Sequence, residues 1–182
     1  YDGSPVPSAA EYARAVLPVL RESGLAIVLE PGRHIMAPAG ALLTRVIDVK
    51  EAGSGEQEAG SAQRAAEKLF VVMDAGMTEL IRPMLYNAFH RIEPVVQTAA
   101  TATRCDVVGP LCESSDTLGK DRTLPRPDVD ELYAVLDTGA YGSVMASNYN
   151  RRLLPAEVLV ENGAARLIRR RQTLDDVLAL EL

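Results

Sequence analysis

The sequence predicts a mainly β protein, with an antiparallel β barrel or sandwich over residues 41–182 preceded by a helix–strand unit of an α/β barrel over residues 1–40. Two observations carry this prediction. A capped helix and a continuous apolar run open the chain, as in the repeating units of α/β folds. After residue 40, short runs rich in Val, Ile and Leu alternate with Gly, Pro and Asp turns, as in antiparallel barrels and sandwiches.

The first helix is predicted from its start and stop signals. Ser8 lies three residues before Glu11, which is the spacing of a capping box. Apolar residues recur on one side up to about Ser23, and Gly24 supplies a C-terminal stop. Pro18 falls inside the helix, where we expect a kink or a loss of stability.

The run "LAIVLE", residues 25–30, predicts a strand that is buried on both faces, as in a parallel sheet. No second helix–strand unit follows, so this strand has no parallel neighbour in the sequence. A helix that leads into a buried strand is half of a barrel unit or of a doubly wound unit, so we expect this segment to be cut from something larger.

The β domain is predicted from short apolar runs at 42–51, 68–76, 92–110, 131–139, 156–163 and 165–172. Asn162–Gly163 is a strong signal for a two-residue hairpin turn. The small polar residues at 52–67 predict a mobile loop, and "CESSDTLGKDRTLP" predicts a polar loop after a strand. A capped helix is expected to begin at Thr173.

Composition excludes several classes of function. The net charge of −6 argues against a nucleic-acid surface, and Arg169–Arg171 are predicted to form a solvated strand end. Two cysteines make no disulfide framework, and we expect Cys105 to be buried. His34 and His90 lack ligand spacing, so we expect structural roles and no metal site. No apolar run has the length of a membrane span and no signal peptide opens the chain, so we expect a soluble, cytoplasmic protein without a membrane partner.

The motif "EPGR" follows the apolar run directly and indicates an anion site. In α/β barrels, active-site groups lie at the C-terminal ends of the strands. Gly32 lets a ligand approach the backbone, whose N–H groups can hold a phosphate. Arg33 can add charge-assisted hydrogen bonds, and Glu30 can hold a proton on a heterocyclic nitrogen.

Three further motifs follow in order: "DAGMTELIRPMLYNAFHRI", "GPLCESSD" and "DTGAYGSVMASNYN". Together with "EPGR" they resemble the diaminopimelate decarboxylases, which belong to the fold-type III pyridoxal-phosphate decarboxylases with the ornithine and arginine decarboxylases. The resemblance extends from Tyr1 to the closing "RRRQTLDDVLALE". "RPMLY" and "CESSD" favour the diaminopimelate branch over the ornithine branch. The implied fold is the last helix–strand unit of a TIM-type barrel, then a C-terminal β-barrel domain with a C-terminal helix.

The resemblance implies that pyridoxal 5′-phosphate is the cofactor. Glu30 would pair with its pyridine nitrogen and keep it protonated, which makes the ring a better electron sink. Gly32 and Arg33 would line the phosphate, and Tyr141 would contact cofactor or substrate. The glycines that flank Tyr141 would allow close approach across a dimer interface.

The resemblance also implies a homodimer that binds meso-diaminopimelate, and its product L-lysine, at a site shared between subunits. Arg33 would reach a substrate carboxylate together with Arg82 and Tyr86. Glu113, from the second subunit, would recognise the ammonium group at the distal end of the substrate. Cys112, from the same loop, would stand near the reacting carbon as a catalytic residue.

Five of the candidate residues also have a purely structural alternative. Glu30 could form an ion pair with a neighbour, and Arg82 could lie on a surface strand. Cys112 could be a small buried hydrophobe, which is the usual place of a free cysteine. Tyr86 and Tyr141 could be core aromatics.

One departure from the family limits what the chain does alone. A pyridoxal-phosphate enzyme needs a lysine to hold the cofactor. Lys50, Lys68 and Lys120 are the lysines of the chain, and none lies in the family's lysine motif. We therefore expect the C-terminal portion of a longer enzyme, inactive by itself. Two alternatives stay open: a decarboxylase for ornithine, arginine or a polyamine precursor, and a stand-alone β-domain association module.

Overall fold

The computed structural model describes residues 4–52, 68–97 and 99–181. The helices are α1 (Ala9–Glu22), α2 (Arg33–Met36), α3 (Arg82–Tyr86) and α4 (Leu174–Leu178). The strands are β1 (Leu42–Ala52), β2 (Lys68–Met73), β3 (Ile92–Pro94), β4 (Ala102–Val108), β5 (Thr117–Pro125), β6 (Leu132–Val135), β7 (Glu157–Glu161) and β8 (Ala164–Arg169). The loop predicted at 52–67 lies outside the described residues, apart from Ala52 at the end of β1.

Six strands form one sheet in the order β3–β6–β1–β2–β4–β5. Neighbouring strands are antiparallel except β2 and β4, which run parallel. The prediction of a purely antiparallel barrel is wrong in this respect, because the chain crosses over through α3 and β3 before it enters β4. The edge strands β3 and β5 come into contact, which curls the sheet into a nearly closed barrel.

The core lies inside this curled sheet. Val46, Val71 and Val107, from the three neighbouring strands β1, β2 and β4, are fully buried. Tyr133 of β6 is also fully buried, and its hydroxyl donates a 3.0 Å hydrogen bond to Pro125 O. Burial raises the pKa of Tyr133 to about 12, so the phenol stays protonated and keeps this hydrogen bond.

Helix α1 forms as predicted. The Ser8 hydroxyl accepts from Glu11 N–H at 3.2 Å, and the Glu11 carboxylate accepts from Ser8 N–H at 2.8 Å, which completes the capping box. The helix continues through Pro18 and ends before Gly24, whose φ is +66°. None of the residues of α1 is buried, so packing among the described residues contributes little to this helix.

The prediction of a strand at residues 25–30 is wrong. These residues are all exposed and form no strand with any described segment. A strand requires a neighbouring strand for its backbone hydrogen bonds, and none lies beside this run in the described part of the chain. Val28, for example, is 84% exposed, which is typical of an apolar surface that another element covers.

The sequence does not predict three elements, α2, α3 and β5. Helix α3 is too short to show helical periodicity, although Pro83 suits its first turn. Strand β5 carries Gly119, Lys120 and Asp121 in its middle, and strands disfavour these residue types. It nevertheless pairs with β4 along most of its length, where the sequence predicts a polar loop.

The C-terminal elements agree with the sequence. Strands β7 and β8 form a separate two-stranded sheet, and the turn residues Asn162 and Gly163 have φ values of +50° and +77°. Strand β8 ends at Arg169 in solvent, as predicted. Thr173 caps α4, and its hydroxyl accepts from Asp176 N–H at 3.3 Å.

Candidate functional site

The motif "EPGR" forms the turn that begins α2. Gly32 has a φ of +44°, a conformation that glycine adopts readily, and its carbonyl accepts from the N–H groups of Ile35 and Met36. The turn places Arg33 at the start of α2, where its side chain lines a cleft. Glu30 is exposed just before the turn and does not line this cleft.

Two glycines hold the segment after α2 against the loop that carries Tyr141. Gly139 N–H donates to Ala37 O at 3.1 Å. A Cβ at Gly139 would overlap Met36 O, and a Cβ at Gly40 would lie 2.6 Å from Gly139 Cα. Glycine therefore allows this contact between two backbones. This close approach at Gly139 lies within the chain, and the approach of Gly139 and Gly142 across a dimer interface that the resemblance implies stays a prediction.

Arg82 is a buried charge in the wall of the cleft. It is 7% exposed, yet its Nε has no hydrogen-bond partner among the described residues. Its guanidinium carbon lies 6.0 Å from the centre of the Tyr86 ring and 5.7 Å from the centre of the Tyr141 ring. Both rings are within range of a cation–π attraction. A buried guanidinium with an unused donor is unfavourable until an anion pairs with it, so the site suits a carboxylate or a phosphate.

The cleft has a volume of about 460 Å³ and is lined by Arg33, Arg82, Tyr86, Ala88, Tyr141 and Met145. None of these side chains is acidic, so the lining is cationic. Tyr86 and Tyr141 are 61% and 49% exposed, which excludes the core alternative for both. The surface-strand alternative for Arg82 is wrong as well, because this residue is buried on a helix. The structure thus brings together four of the predicted site residues.

Asp116 anchors the loop that carries Cys112 and Glu113, a role that no pattern in the sequence indicates. It is 3% exposed. Its Oδ1 accepts from Met77 N–H at 2.6 Å and its Oδ2 accepts from Leu111 N–H at 2.9 Å. The carboxylate therefore ties this loop to the turn that follows β2.

The space around the Asp116 carboxylate is tight. A Cβ at Gly76 or at Gly109 would overlap the carboxylate, so both positions require glycine. Burial raises the pKa of Asp116 above its ordinary value, although the two backbone hydrogen bonds act in the opposite direction. No periodicity or motif spacing indicates this role, because the partners of Asp116 are backbone groups.

Glu113 is partly exposed and is held in its ionised form. Its Oε1 accepts from Ser115 N–H at 3.2 Å and from the Ser115 hydroxyl at 2.8 Å, and Tyr149 OH makes a long 3.5 Å contact with Oε2. These groups, Ser115 above all, lower the pKa of Glu113. Tyr149 belongs to the motif "DTGAYGSVMASNYN", and no pattern in the sequence indicates its contact with Glu113.

The two cysteines differ in environment. Cys112 is exposed, so the alternative of a small buried hydrophobe is wrong for this residue. Cys105 is buried as predicted, and burial raises its pKa to about 11. Neither forms a disulfide, and only Cys112 is accessible to a ligand.

Apart from Glu30, which is exposed before the Gly32 turn, the predicted site residues fall into two groups. Arg33, Arg82, Tyr86 and Tyr141 line the cleft, with the Gly32 turn at its edge. Cys112 and Glu113 lie on the separate loop anchored by Asp116 and do not line the cleft in the described part of the chain.

The histidines have no role in this cleft. His90 is 1% exposed and lies 2.9 Å, through Nδ1, from Leu136 O. Burial lowers the pKa of His90, so the ring is neutral and its Nδ1–H donates this hydrogen bond. His34 is exposed on α2. Within residues 4–52, 68–97 and 99–181, no three His, Cys, Asp or Glu side chains are grouped so as to hold a metal ion. Nor does this part of the chain contain a helix with the length and apolar character needed to cross a membrane.

Comparison with known proteins places the chain in a family. A model of the pyridoxal-dependent decarboxylases, described as their C-terminal sheet domain, matches residues 10–139. Diaminopimelate decarboxylase of Neisseria meningitidis serogroup A is 46% identical over the whole chain, and that of Aquifex aeolicus is 42% identical over 96% of it. The crystal structure of diaminopimelate decarboxylase from Helicobacter pylori complexed with L-lysine covers the whole chain with a TM-score of 0.83 and 39% identity.

The chain therefore belongs to the pyridoxal-dependent decarboxylases, and the matched part is their C-terminal sheet domain. It spans 41% of the Neisseria relative, 38% of the Aquifex relative and 41% of the Helicobacter chain. It thus corresponds to about two fifths of each of these proteins.

Proposed function

We propose that the chain is the C-terminal part of a decarboxylase that uses pyridoxal phosphate to convert meso-2,6-diaminopimelate to L-lysine and carbon dioxide. The observation that carries this proposal is the cationic cleft in which buried Arg82 lies between Tyr86 and Tyr141. Relatives 38–46% identical that are named diaminopimelate decarboxylases also support it. Diaminopimelate has a carboxylate at each end, and such a cleft can bind one of them.

The described residues fit part of a cofactor site. Pyridoxal phosphate, when bound, supplies an electron sink for the electron pair that departing carbon dioxide leaves behind. The Gly32 turn gives a phosphate close access to the backbone, and Arg33 supplies a guanidinium beside it. Glu30 is exposed before the same turn, where its carboxylate can pair with a protonated ring nitrogen.

The lysine that holds the cofactor must come from elsewhere in the complete enzyme. Lys50 pairs with Asp48 at 3.2 Å and Lys68 pairs with Asp106 at 2.7 Å, so both are engaged on the sheet. Lys120 is on β5, and no described lysine lines the cleft. We propose that an α/β barrel domain, of which residues 1–40 form the last unit, supplies this lysine.

The cleft residues would orient the substrate. Arg33 and Arg82 would bind a substrate carboxylate through charge-assisted hydrogen bonds, with the Tyr86 hydroxyl as an additional donor. Tyr141 lies against the Arg82 guanidinium and would contact both cofactor and substrate. A carboxylate bound here leaves the rest of the substrate to extend out of the cleft.

The Asp116-anchored loop would act in the cleft of a second subunit, which its separation from the cleft of its own chain supports. Glu113 is held ionised, so it can pair with the ammonium group at the distal end of the substrate. Loss of carbon dioxide leaves a carbon that must gain a proton. The exposed Cys112 thiol would stand near that carbon and can donate the proton from its Sγ.

Substrate selection by the complete enzyme tests this proposal. The rates with meso-diaminopimelate, ornithine and arginine are to be compared as kcat/KM at a fixed enzyme concentration. We expect diaminopimelate to be preferred by about two orders of magnitude, because ornithine and arginine lack the distal carboxylate that Arg33 and Arg82 would bind. Equal use of ornithine or arginine would support the alternative decarboxylases. No turnover of any substrate, with no bound cofactor, would support the association module.

A further inference from the structure

Helix α3 separates the candidate cleft from a second cavity with a volume of about 740 Å³. Arg82 and Tyr86 of this helix line the cleft, whereas Pro83 and Met84 line the cavity. Strand β5 supplies most of the opposite wall. The volume is within the range of small-molecule sites in proteins.

Arg122 of β5 is a fixed but unpaired cation in this cavity. Its guanidinium carbon lies 3.7 Å from the centre of the Phe89 ring, which is a stacking distance. A Cβ at Gly119 would overlap Arg122 Nε, so the strand packs closely against the other side of the side chain. The Nε is buried without a partner, and the Arg122 side chain makes no hydrogen bond or ion pair with a described residue.

A guanidinium in such an environment favours the formation of an ion pair with an anion. Partial burial has already removed part of its hydration, since it lowers the pKa of Arg122. The stack on Phe89 has already restricted its rotamers, so an incoming anion meets a pre-organised guanidinium. Both effects favour the binding of a carboxylate or a phosphate.

The remaining charges of the cavity do not neutralise Arg122. Glu93 pairs with Arg91 at 3.4 Å, and Asp121 pairs with Arg104 at 2.9 Å, so both carboxylates already have partners. Lys120 lines the same wall, and its side chain makes no ion pair or hydrogen bond with any residue that the structure describes. Two cations thus line the cavity without a described counter-ion.

We infer that this cavity binds a small anionic metabolite, held at a phosphate or carboxylate group by Arg122 and Lys120. Ile92, Leu118 and Leu124 also line the cavity and suit an apolar portion of such a ligand. The inference does not depend on the proposed decarboxylase activity, because none of the proposed catalytic or binding residues takes part. The cavity lies beside both α3 and Ser115, the residue that holds Glu113.

Titration of the chain with inorganic phosphate, and separately with succinate, tests the inference. Binding is followed by calorimetry and by the NMR shifts of backbone amides at 119–124. We expect saturable binding of at least one probe. Arg122→Gln should weaken it about tenfold or more, since a hydrogen bond to a charged group contributes about 1.5–3 kcal/mol. Arg122→Lys should retain part of the affinity, and Lys120→Gln should weaken binding less than Arg122→Gln.

The matched control is Arg126→Gln, which removes the same charge just beyond the end of β5. Arg126 pairs with Glu51 at 2.7 Å and does not line the cavity, so this variant should bind the probes normally. Equal weakening by Arg126→Gln and Arg122→Gln would overturn the inference, because binding would then follow net charge alone. The absence of any saturable shift at 119–124 with either probe would overturn it as well.

Discussion

Replacing Asp116 with asparagine removes one of the two hydrogen bonds that hold the loop of Cys112 and Glu113. The carboxylate accepts from Met77 N–H at 2.6 Å through one oxygen and from Leu111 N–H at 2.9 Å through the other. Asparagine has nearly the same shape but offers a single acceptor oxygen. One of the two partly buried N–H groups would therefore face an amide NH₂ and lose its partner.

The expected loss of stability follows from this geometry. An unpaired buried N–H costs about 1–3 kcal/mol, and we expect the lower half of that range for Asp116→Asn, because removing the charge also removes its desolvation penalty. Asp116→Ala leaves both N–H groups unpaired and should cost about twice as much. Asp128→Asn is the control, since Asp128 is exposed and its side chain makes no hydrogen bond with a described residue.

The pH dependence supplies a second measurement on the same residue. Burial raises the pKa of Asp116 in the folded chain, so the folded state binds this proton more tightly than the unfolded state does. The stability that this group contributes is therefore present below the ordinary pKa of an aspartate and is lost as the pH rises through the raised value. Asp116→Asn should remove this part of the pH dependence.

Urea unfolding followed by far-UV circular dichroism measures both effects. We expect the urea concentration at the unfolding midpoint to be highest for the wild type, lower for Asp116→Asn and lowest for Asp116→Ala. Asp128→Asn should have the wild-type midpoint. If Asp116→Asn and Asp128→Asn unfold at the same urea concentration as the wild type across the acidic range, the anchoring role of Asp116 is refuted.

Three further predictions concern the site. Glu113→Gln keeps the shape of the side chain and removes its charge, so steady-state turnover of meso-diaminopimelate by the complete enzyme should fall by roughly two orders of magnitude with cofactor absorbance unchanged. The chain by itself should show neither a specific pyridoxal-phosphate absorbance band nor decarboxylation, because no described lysine lines the cleft. A thiol reagent at neutral pH should modify Cys112 quickly and Cys105 slowly, as read by mass spectrometry, because Cys105 is buried with a pKa of about 11.

Each of these three predictions has a clear contrary result. If the Glu113→Gln enzyme keeps the full rate, the Asp116-anchored loop has only a structural role. A stoichiometric cofactor band that disappears when one lysine of the chain is replaced would show that the chain holds the cofactor itself. Equal rates of modification at the two thiols would contradict the burial of Cys105.

Local signals in the sequence predict several elements correctly. The capping pairs at Ser8 and Thr173 and the Asn162–Gly163 turn depend on residues close together in the chain, so their residue types are sufficient. Most strands of the curled sheet are also predicted, because their apolar residues face its interior. The polar strand β5 is not, since its pairing with β4 provides the stability that its own residues do not indicate.

The sequence does not predict contacts between residues that lie far apart in the chain. The parallel pairing of β2 and β4 depends on the path of the chain between them, which apolar patterns do not encode. Residues 25–30 have the composition of a buried strand but no described neighbour. Asp116 binds Met77 across 39 positions through a backbone group, so no side-chain pattern indicates the contact.

The sequence predicts which residues line the cleft, but it does not predict the contact that brings them together. The order of the motifs identifies Arg33, Arg82, Tyr86 and Tyr141 as candidates. The backbone contact between Gly40 and Gly139 then joins two of the segments that carry them, and it is visible only in the structure.

The most direct test of the proposed shared site mixes two inactive variants of the complete enzyme. Arg82→Ala removes the group proposed to bind a carboxylate in the cleft, and Glu113→Gln removes the charge that a subunit would contribute to the cleft of its partner. In a mixed dimer, one of the two sites then has both defects and the other has neither.

Equal amounts of the two variants, allowed to exchange subunits at random, give mixed dimers as half of the population. About one quarter of the wild-type rate with meso-diaminopimelate should therefore return. Exchange is verified by native mass spectrometry of differently tagged subunits. If mixed dimers form and no activity returns, Arg82 and Glu113 do not meet across a subunit interface, and the proposed site is wrong.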